Sequence, residues 1–294
     1  MDGYATGIIT LLAINCIAAL GVSLFTGFTG IFTLGHAGYM AIGAYTTAIL
    51  TVEYGVHFIP AIIAGGLLAM VFAYLIGIPT LKLVGDYYTI ASLGLGEAIR
   101  LIIENWEGVT RGARGYPGID AYTTMPVALA FLLIMGVAMF FLVNSSYGRA
   151  FKACRDDYVA ASLLGFNTAR FRVFSLAISG FYCGVSGALL GGFMSFIQPV
   201  MFDMAKSTEL VSVVVFGGLG SMSGCLIGTG ILTLVTEVFR PISQYRMLVY
   251  GLVLVLVMVL RPEGIMGTNE LTLNYIKGLF SRKKKTAEAG EGAN

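Results

Sequence analysis

A scarcity of charged residues is the most informative feature of this 294-residue chain. Charged residues make up 12% and hydrophobic residues 57% of it, with a mean hydropathy of +0.84, whereas soluble domains are about a quarter charged. The net charge of +2 gives no reason to expect a nucleic-acid partner. The four cysteines stand apart from one another and there are only two histidines, so no metal site is predicted.

Apolar segments long enough to cross a bilayer recur along the sequence. A hydrocarbon core of about 30 Å needs about 20 apolar residues in a helix, which satisfies its own backbone polar groups. The run 125–143 is apolar on every side, unlike the alternating strands of a transmembrane barrel. We therefore predict an all-α, polytopic transmembrane helical bundle of about eight to ten segments, some broken or re-entrant. In chain order the segments are 5–28, 31–53, 58–81, 87–103, 125–143, 172–197, 208–221, 223–239 and 244–260.

Glycine clusters mark two places where these segments are expected to break. Residues 27–43 contain five glycines and residues 217–230 contain six. Glycine suits half-helices as well as close helix packing. His36 lies within the first cluster, where a ring nitrogen could bond a broken helix end, line a water-filled path or simply join two helices.

Charges inside apolar segments are rare and therefore informative, because each costs about 2.5 to 3.5 kcal/mol at a helix centre. Glu97 and Arg100 are three residues apart, and Glu104 follows Arg100 by four. At these spacings the three side chains can form one ladder on a helix surface. A structural ion pair is favoured over a substrate contact.

Small residues recur every four positions in the second half of the chain, and this spacing predicts close helix packing. Gly180 and Gly184 fall on one helical face, which Ala188 and Gly192 extend. Gly220, Gly224 and Gly228 fall on another face.

In the otherwise polar loop 144–171, apolar residues recur at the spacing of an α-helix. Its stripe predicts one amphipathic helix over about 150–165, lying on lipid headgroups or inserted into a protein groove. The small pair Ala160 and Ala161, followed by Gly165, favours the groove. The residues of the stripe are Phe151, Cys154, Tyr158, Ala161 and Leu164.

Lys and Arg residues set the predicted orientation, because they favour the cytoplasmic side. They concentrate in the 144–171 loop and after residue 260. We therefore expect residues 1–267 to form one membrane domain with its N-terminus outside. The polar, basic tail 268–294 is expected to be cytoplasmic and disordered.

The sequence resembles the permease family of ATP-binding-cassette importers for branched-chain amino acids, the LivH/LivM type, and it is more similar to LivM members. Three stretches between about residues 20 and 267 carry the resemblance through their joint order and spacing. They are FTGFTGIFTLGHAGYMAIGAYTTA at 25–48, YYTIASLGLGEAIRLIIENWEGVTRGARG at 87–115 and GRAFKACRDDYVAASLLGFNTARFRVFSLAISG at 148–180.

The resemblance implies a multi-pass subunit in a bacterial or archaeal cell (inner) membrane. It also implies a homologous LivH-like permease partner, two cytoplasmic LivG/LivF-like ATPases and an extracytoplasmic substrate-binding protein. The chain contains no G-x-x-x-x-G-K-[ST] phosphate loop, so it is expected to be no enzyme and to carry no cofactor, with ATP-Mg bound by the ATPases.

The resemblance also suggests site residues. Family coupling elements contain Glu-Ala-Ala, then three further residues and a glycine, and Val159 here replaces the Glu. The residues expected to couple to the ATPases are Arg149, Asp156, Asp157, Ala160, Ala161 and Gly165. Those expected along the translocation path are Thr33, Gly35, His36, Glu97 and Arg100.

The sequence alone leaves three other functions as alternatives. Urea or short-chain amides are alternative substrates within the same family. An ion-coupled secondary transporter would use Glu97 as its coupling carboxylate, although this leaves the amphipathic helix unexplained. An intramembrane enzyme is a weaker alternative, because neither histidine has an evident nucleophile partner in the sequence and no H-E-x-x-H motif occurs.

Overall fold

The computed structural model describes residues 2–83 and 85–238, together with Gly251, Val255, Val259, Gly264, Ile265 and Gly267. Strands β1 (Tyr116–Pro117) and β2 (Phe196–Ile197) pair antiparallel. The helices are α1 Asp2–Val22, α2 His36–Val52, α3 Phe58–Thr80, α4 Asp86–Asn105, α5 Glu107–Thr110, α6 Met125–Asn144, α7 Ser146–Asp156, α8 Tyr158–Leu163, α9 Thr168–Met194, α10 Met204–Gly217 and α11 Met222–Val238.

The predicted all-α membrane bundle is confirmed. Among the described residues, four helices are long and apolar enough to cross a membrane: Gly3–Phe28, Phe58–Thr80, Met125–Asn144 and Thr168–Met194. Large apolar side chains such as Leu75, Leu133 and Phe141 are exposed on α3 and α6, as expected of helices facing lipid. Most of the predicted segment 244–260 and the whole tail 268–294 lie outside the described residues.

Helix α9 forms the centre of the bundle and contacts α1, α2 and α3. The contact with α2 is a backbone crossing. A Cβ atom added at Gly43 would lie under 3.0 Å from backbone atoms of Gly184, and one at Gly187 equally close to the backbone of Met40. Glycine is required on both sides because no side chain fits between the two helices.

The predicted small-residue faces are found in part. Gly180 and Gly184 pack against Ala69 and Ala73 of α3. On the second face, Gly228 lies against Gly217 of α10, whose own added Cβ would meet the backbone of Gly224. The assignment of Gly220 to this helical face is wrong, because Gly220 lies in the turn before α11 with φ +93°.

Both predicted breaks exist, but each is shorter than its glycine cluster. The first covers residues 29–35, and α2 continues as a helix through Gly38 and Gly43. The second covers residues 218–221, between α10 and α11.

Candidate functional site

The first break is enclosed by three other helices. Helix α1 is followed directly by a π-helical turn, Ser23–Phe28, a local geometry frequent at functional sites. The backbone then leaves the helix through Gly30, whose φ of +75° suits glycine. The Leu34 N–H donates to Ser92 Oγ on α4 at 3.1 Å, and the Ala37 N–H donates to Ser207 Oγ on α10 at 3.0 Å. Hydroxyl groups therefore satisfy backbone donors that the break exposes.

His36 begins α2 and is completely buried. Its Nε2 lies 2.7 Å from Ser179 Oγ on α9, so the ring joins two helices. Its Nδ1 has no hydrogen-bond partner among the described residues. Thr33 and Gly35 are buried beside it. These three expected path residues lie together, but in this conformation they are closed off from solvent.

Glu97 and Arg100 form the ladder that their spacing suggested. Arg100 Nε lies 2.7 Å from Glu97 Oε2, and its Nη1 lies 2.7 Å from Glu104 Oε2. One guanidinium thus holds two carboxylates on the partly exposed side of α4. The preceding residue, Gly96, packs against Gly35, which brings the ladder next to the first break.

A second polar cluster was missed in the sequence. Lys206 Nζ lies 3.1 Å from Glu209 Oε2 and 3.4 Å from Asn15 Oδ1, in the second half of α1. Lys206 lies two residues before the predicted segment 208–221, outside every predicted apolar segment. Its i, i+3 spacing to Glu209 was the available signal.

The prediction of one helix over 150–165 is wrong. Asp157 adopts an extended conformation with φ −156° and divides the segment into α7 and α8. The apolar stripe divides with it: Phe151, Cys154 and Ala161 are buried, whereas Tyr158 and Leu164 are exposed. Ala161, expected to face a partner, is only 2% exposed and lies inside the fold of this chain.

Cys154 behaves as a packing residue. Burial raises the pKa of its thiol above the ordinary value, and the neighbouring Arg172 only partly opposes this effect. The thiol therefore remains protonated near neutral pH and is a poor nucleophile.

Helix α8 is short but capped at both ends. The Asp157 carboxylate accepts hydrogen bonds from the N–H groups of Val159 at 2.8 Å and Ala160 at 3.0 Å. At the other end Gly165 has φ +88°, and the Phe166 N–H donates to Ala161 O at 3.2 Å. The Gly165 N–H donates to Ser162 O, which completes a Schellman cap.

We expect Asp157→Ala to increase amide exchange of residues 158–164, because losing such a cap costs about 1 kcal/mol. Hydrogen–deuterium exchange of the full-length chain in detergent would measure this. Asp156→Ala is the matched control, since Asp156 bonds Arg155 and caps no helix. Equal protection of α8 in both variants would contradict the capping role.

Arg155 joins the 144–171 loop to both breaks. Its Nη1 donates to Gly27 O at 3.3 Å. A Cβ at Gly30 would lie 2.6 Å from Arg155 Cγ, and one at Gly220 would lie 2.5 Å from Nη1. The side chain therefore lies where the two glycine turns meet, and glycine leaves room for it. This residue was missed, because nothing in the sequence near Arg155 indicates partners so distant in the chain.

The other residues expected at the coupling site are dispersed. Arg149 is exposed and bonds Ser146 Oγ at 2.9 Å, away from α8. Asp156 is exposed and pairs with Arg155 at 3.1 Å. Ala160 is exposed on α8, and Gly165 ends that helix.

Comparison with known proteins decides the family. Residues 4–258 match the model described as "Branched-chain amino acid transport system / permease component". The chain belongs to this permease family. It is 31% identical to the LivM permease protein of Escherichia coli K12, over 88% of this chain and 69% of that protein. It is 26% identical to the LivH permease protein of Salmonella typhimurium, over 90% of this chain and 94% of the relative. No solved structure matches the chain.

Membership in the permease family confirms the resemblance read from the three sequence stretches. Members of this family are the permease components of transport systems. Family membership and the apolar helices together show that this chain is a multi-pass membrane permease. Both breaks and the whole 144–171 loop lie within the matched residues, whereas the tail from 268 lies beyond them.

Proposed function

We propose that this permease is the membrane subunit of an ATP-driven importer for branched-chain or other small neutral amino acids. The names of its relatives, high-affinity branched-chain amino acid transport permeases, support this substrate class. In this proposal a LivH-like permease completes the membrane path, two LivG/LivF-like ATPases bind ATP-Mg, and an extracytoplasmic protein delivers the substrate. The permease itself carries no cofactor.

The exposed apolar surface of α8 is the single observation that carries the proposal. Leu163 is 84% and Leu164 78% exposed, and Tyr158 and Val159 are about half exposed beside them. Clustered exposed apolar side chains mark interaction sites. Because α8 is capped at both ends, it presents these side chains in a defined arrangement that suits a groove on a partner ATPase.

Arg155 provides a mechanical link from this surface to the membrane. Helix α7 precedes α8 and contacts the π-helical turn at Ser23–Phe28. In the proposed cycle, closure of the ATPases moves α8 and α7 together, and Arg155 transmits that movement to residues 27–30 and 218–221. Rearrangement at the first break would then open the enclosed region around His36 to one side of the membrane.

The orientation follows from the distribution of basic residues. The 144–171 loop and the tail contain clustered Lys and Arg, which favours the cytoplasmic side for both. The N-terminus then lies outside. This arrangement places α8 where a cytoplasmic ATPase can reach it.

The double variant Leu163→Glu with Leu164→Glu tests the proposal. Both side chains are exposed in the isolated chain, so the bundle should fold normally. Burying unpaired charges in a partner groove costs several kcal/mol, so ATPase binding should weaken by at least about 100-fold. Co-purification of the full transporter in mild detergent, with binding by the purified ATPases, measures the loss.

Val200→Glu is the matched control for that experiment. Val200 is an exposed aliphatic residue in the connection beyond the other end of α9. The Val200→Glu variant should bind the ATPases as the wild-type chain does. Wild-type binding by the α8 variant would show that α8 is not the ATPase contact.

A further inference from the structure

An open groove runs between the C-terminal end of α3 and the N-terminal end of α9. Its volume is about 570 Å³, within the usual range of small-molecule sites, about 300–1,000 Å³. Tyr74 and Ile78 of α3 form one wall, and Phe174 of α9 lies opposite. Tyr147, at the start of α7, closes one end with its ring centroid 5.6 Å from that of Phe174. The walls are thus mainly aromatic and aliphatic.

Two basic side chains line the same groove. Lys82 follows α3 by two residues, and Arg170 lies in the first turn of α9. Both are exposed, and within the described residues neither forms an ion pair. Arg172 is directed elsewhere, since its guanidinium stacks on the Tyr158 ring at 5.4 Å. The positive N-terminal end of α9 adds to the positive charge at Arg170.

We propose that this groove binds one anionic phospholipid from the leaflet adjoining the 144–171 loop. Lys82 and Arg170 would bind the phosphate, while an acyl chain would lie against Tyr74, Ile78 and Phe174. Lipid binding here requires only that α3 and α9 cross the membrane, and it is independent of the proposed substrate and ATPases.

The position of the charges at the ends of spanning helices supports a lipid. Tyr74 and Ile78 are exposed within the spanning part of α3, so the apolar wall of the groove is accessible to acyl chains. Lys82 lies two residues beyond the α3 span and Arg170 lies in the first turn of the α9 span, so both are expected at headgroup depth. Basic pockets between helices at this depth, bordered by tyrosines, suit an anionic headgroup.

Native mass spectrometry of the full-length chain tests the proposal, with dioleoyl phosphatidylglycerol and dioleoyl phosphatidylcholine as probes. We expect the wild-type chain to retain the anionic lipid about 25-fold more strongly, roughly fivefold for each basic side chain. Lys82→Gln with Arg170→Gln should reduce this preference to near unity. Arg111→Gln with Arg114→Gln is the charge-matched control, located between α4 and α6, and should retain the preference.

Ile78→Trp tests the acyl part of the site while leaving both charges in place. The larger ring should fill the groove and lower retention of phosphatidylglycerol, and the variant should elute as wild type on size exclusion. Equal retention of the two lipids by the wild-type chain would overturn the proposal, as would an unchanged preference in the Lys82 and Arg170 variant. Displacement of phosphatidylglycerol by inorganic phosphate, with no effect of Ile78→Trp, would overturn it in favour of a phosphate site.

Discussion

Gly43→Ala is expected to prevent this chain from folding into a stable bundle. The added Cβ would lie under 3.0 Å from backbone atoms of Gly184, at the crossing of α2 and α9. Overpacking typically costs about 1–3 kcal/mol, and the upper end or more is expected here because neither backbone can give way by rotating a side chain. The yield of monodisperse protein in detergent and its thermal unfolding midpoint would measure the loss.

Gly136→Ala provides the control within a membrane helix. Gly136 lies in the middle of α6, and nothing lies within 4 Å of the position its Cβ would take. This variant should match wild type in yield and midpoint. If Gly43→Ala also matched wild type, the close crossing of α2 and α9 would not exist in the folded protein.

Arg155→Gln is expected to uncouple ATP hydrolysis from uptake. The change removes the charged contact that links the 144–171 loop to Gly27 and the second break. Hydrogen bonds to charged groups contribute about 1.5–3 kcal/mol, so uptake per ATP should fall by at least about tenfold. Leucine uptake and phosphate release by the whole transporter in proteoliposomes measure this ratio, while ATPase binding should persist because α8 is untouched.

Arg114→Gln removes an exposed arginine elsewhere and should leave the ratio unchanged. An Arg155→Gln transporter with the wild-type ratio would show that the contact transmits nothing. Loss of ATPase binding in the same variant would instead make Arg155 part of the docking surface, which also contradicts the assignment.

Much of the fold could be predicted because apolar length determines membrane helices. The predicted segments 58–81 and 125–143 match α3 and α6 within one residue at each end. The Arg100 ladder could also be predicted, since its partners lie within one helical turn. These features depend on local spacing alone.

The breaks could be placed only coarsely, because glycine serves two purposes. Gly30 adopts positive φ at a turn, whereas Gly38 and Gly43 remain helical and permit close packing. Composition does not distinguish these uses. Similarly, the regular spacing of apolar residues in the 144–171 loop predicted one continuous helix and gave no sign that α8 is separate. Asp157 was the available signal, because aspartate favours the start of a helix.

Long-range contacts between polar groups could not be predicted from one sequence. Arg155 and Gly27 are 128 residues apart, and His36 and Ser179 are 143 apart. Serine is common in such helices, and nothing local distinguishes Ser179 from Ser175. The exposure of Leu163 and Leu164 likewise depends on how Asp157 reorients the chain.

Helix α9 is one continuous helix that connects the two ends of the helical bundle. Its 27 residues extend about 40 Å at 1.5 Å per residue. Arg172 near one end stacks on α8, and just beyond the other end β2 pairs with β1. A tilt of about 5° would move one end by about 3.5 Å relative to the other over that length. At the crossing with α2, Gly184 and Gly187 of α9 place no side chains between the two helices. A tilt would therefore meet few interlocking side chains there, and a small push on α8 would be transmitted to the opposite surface.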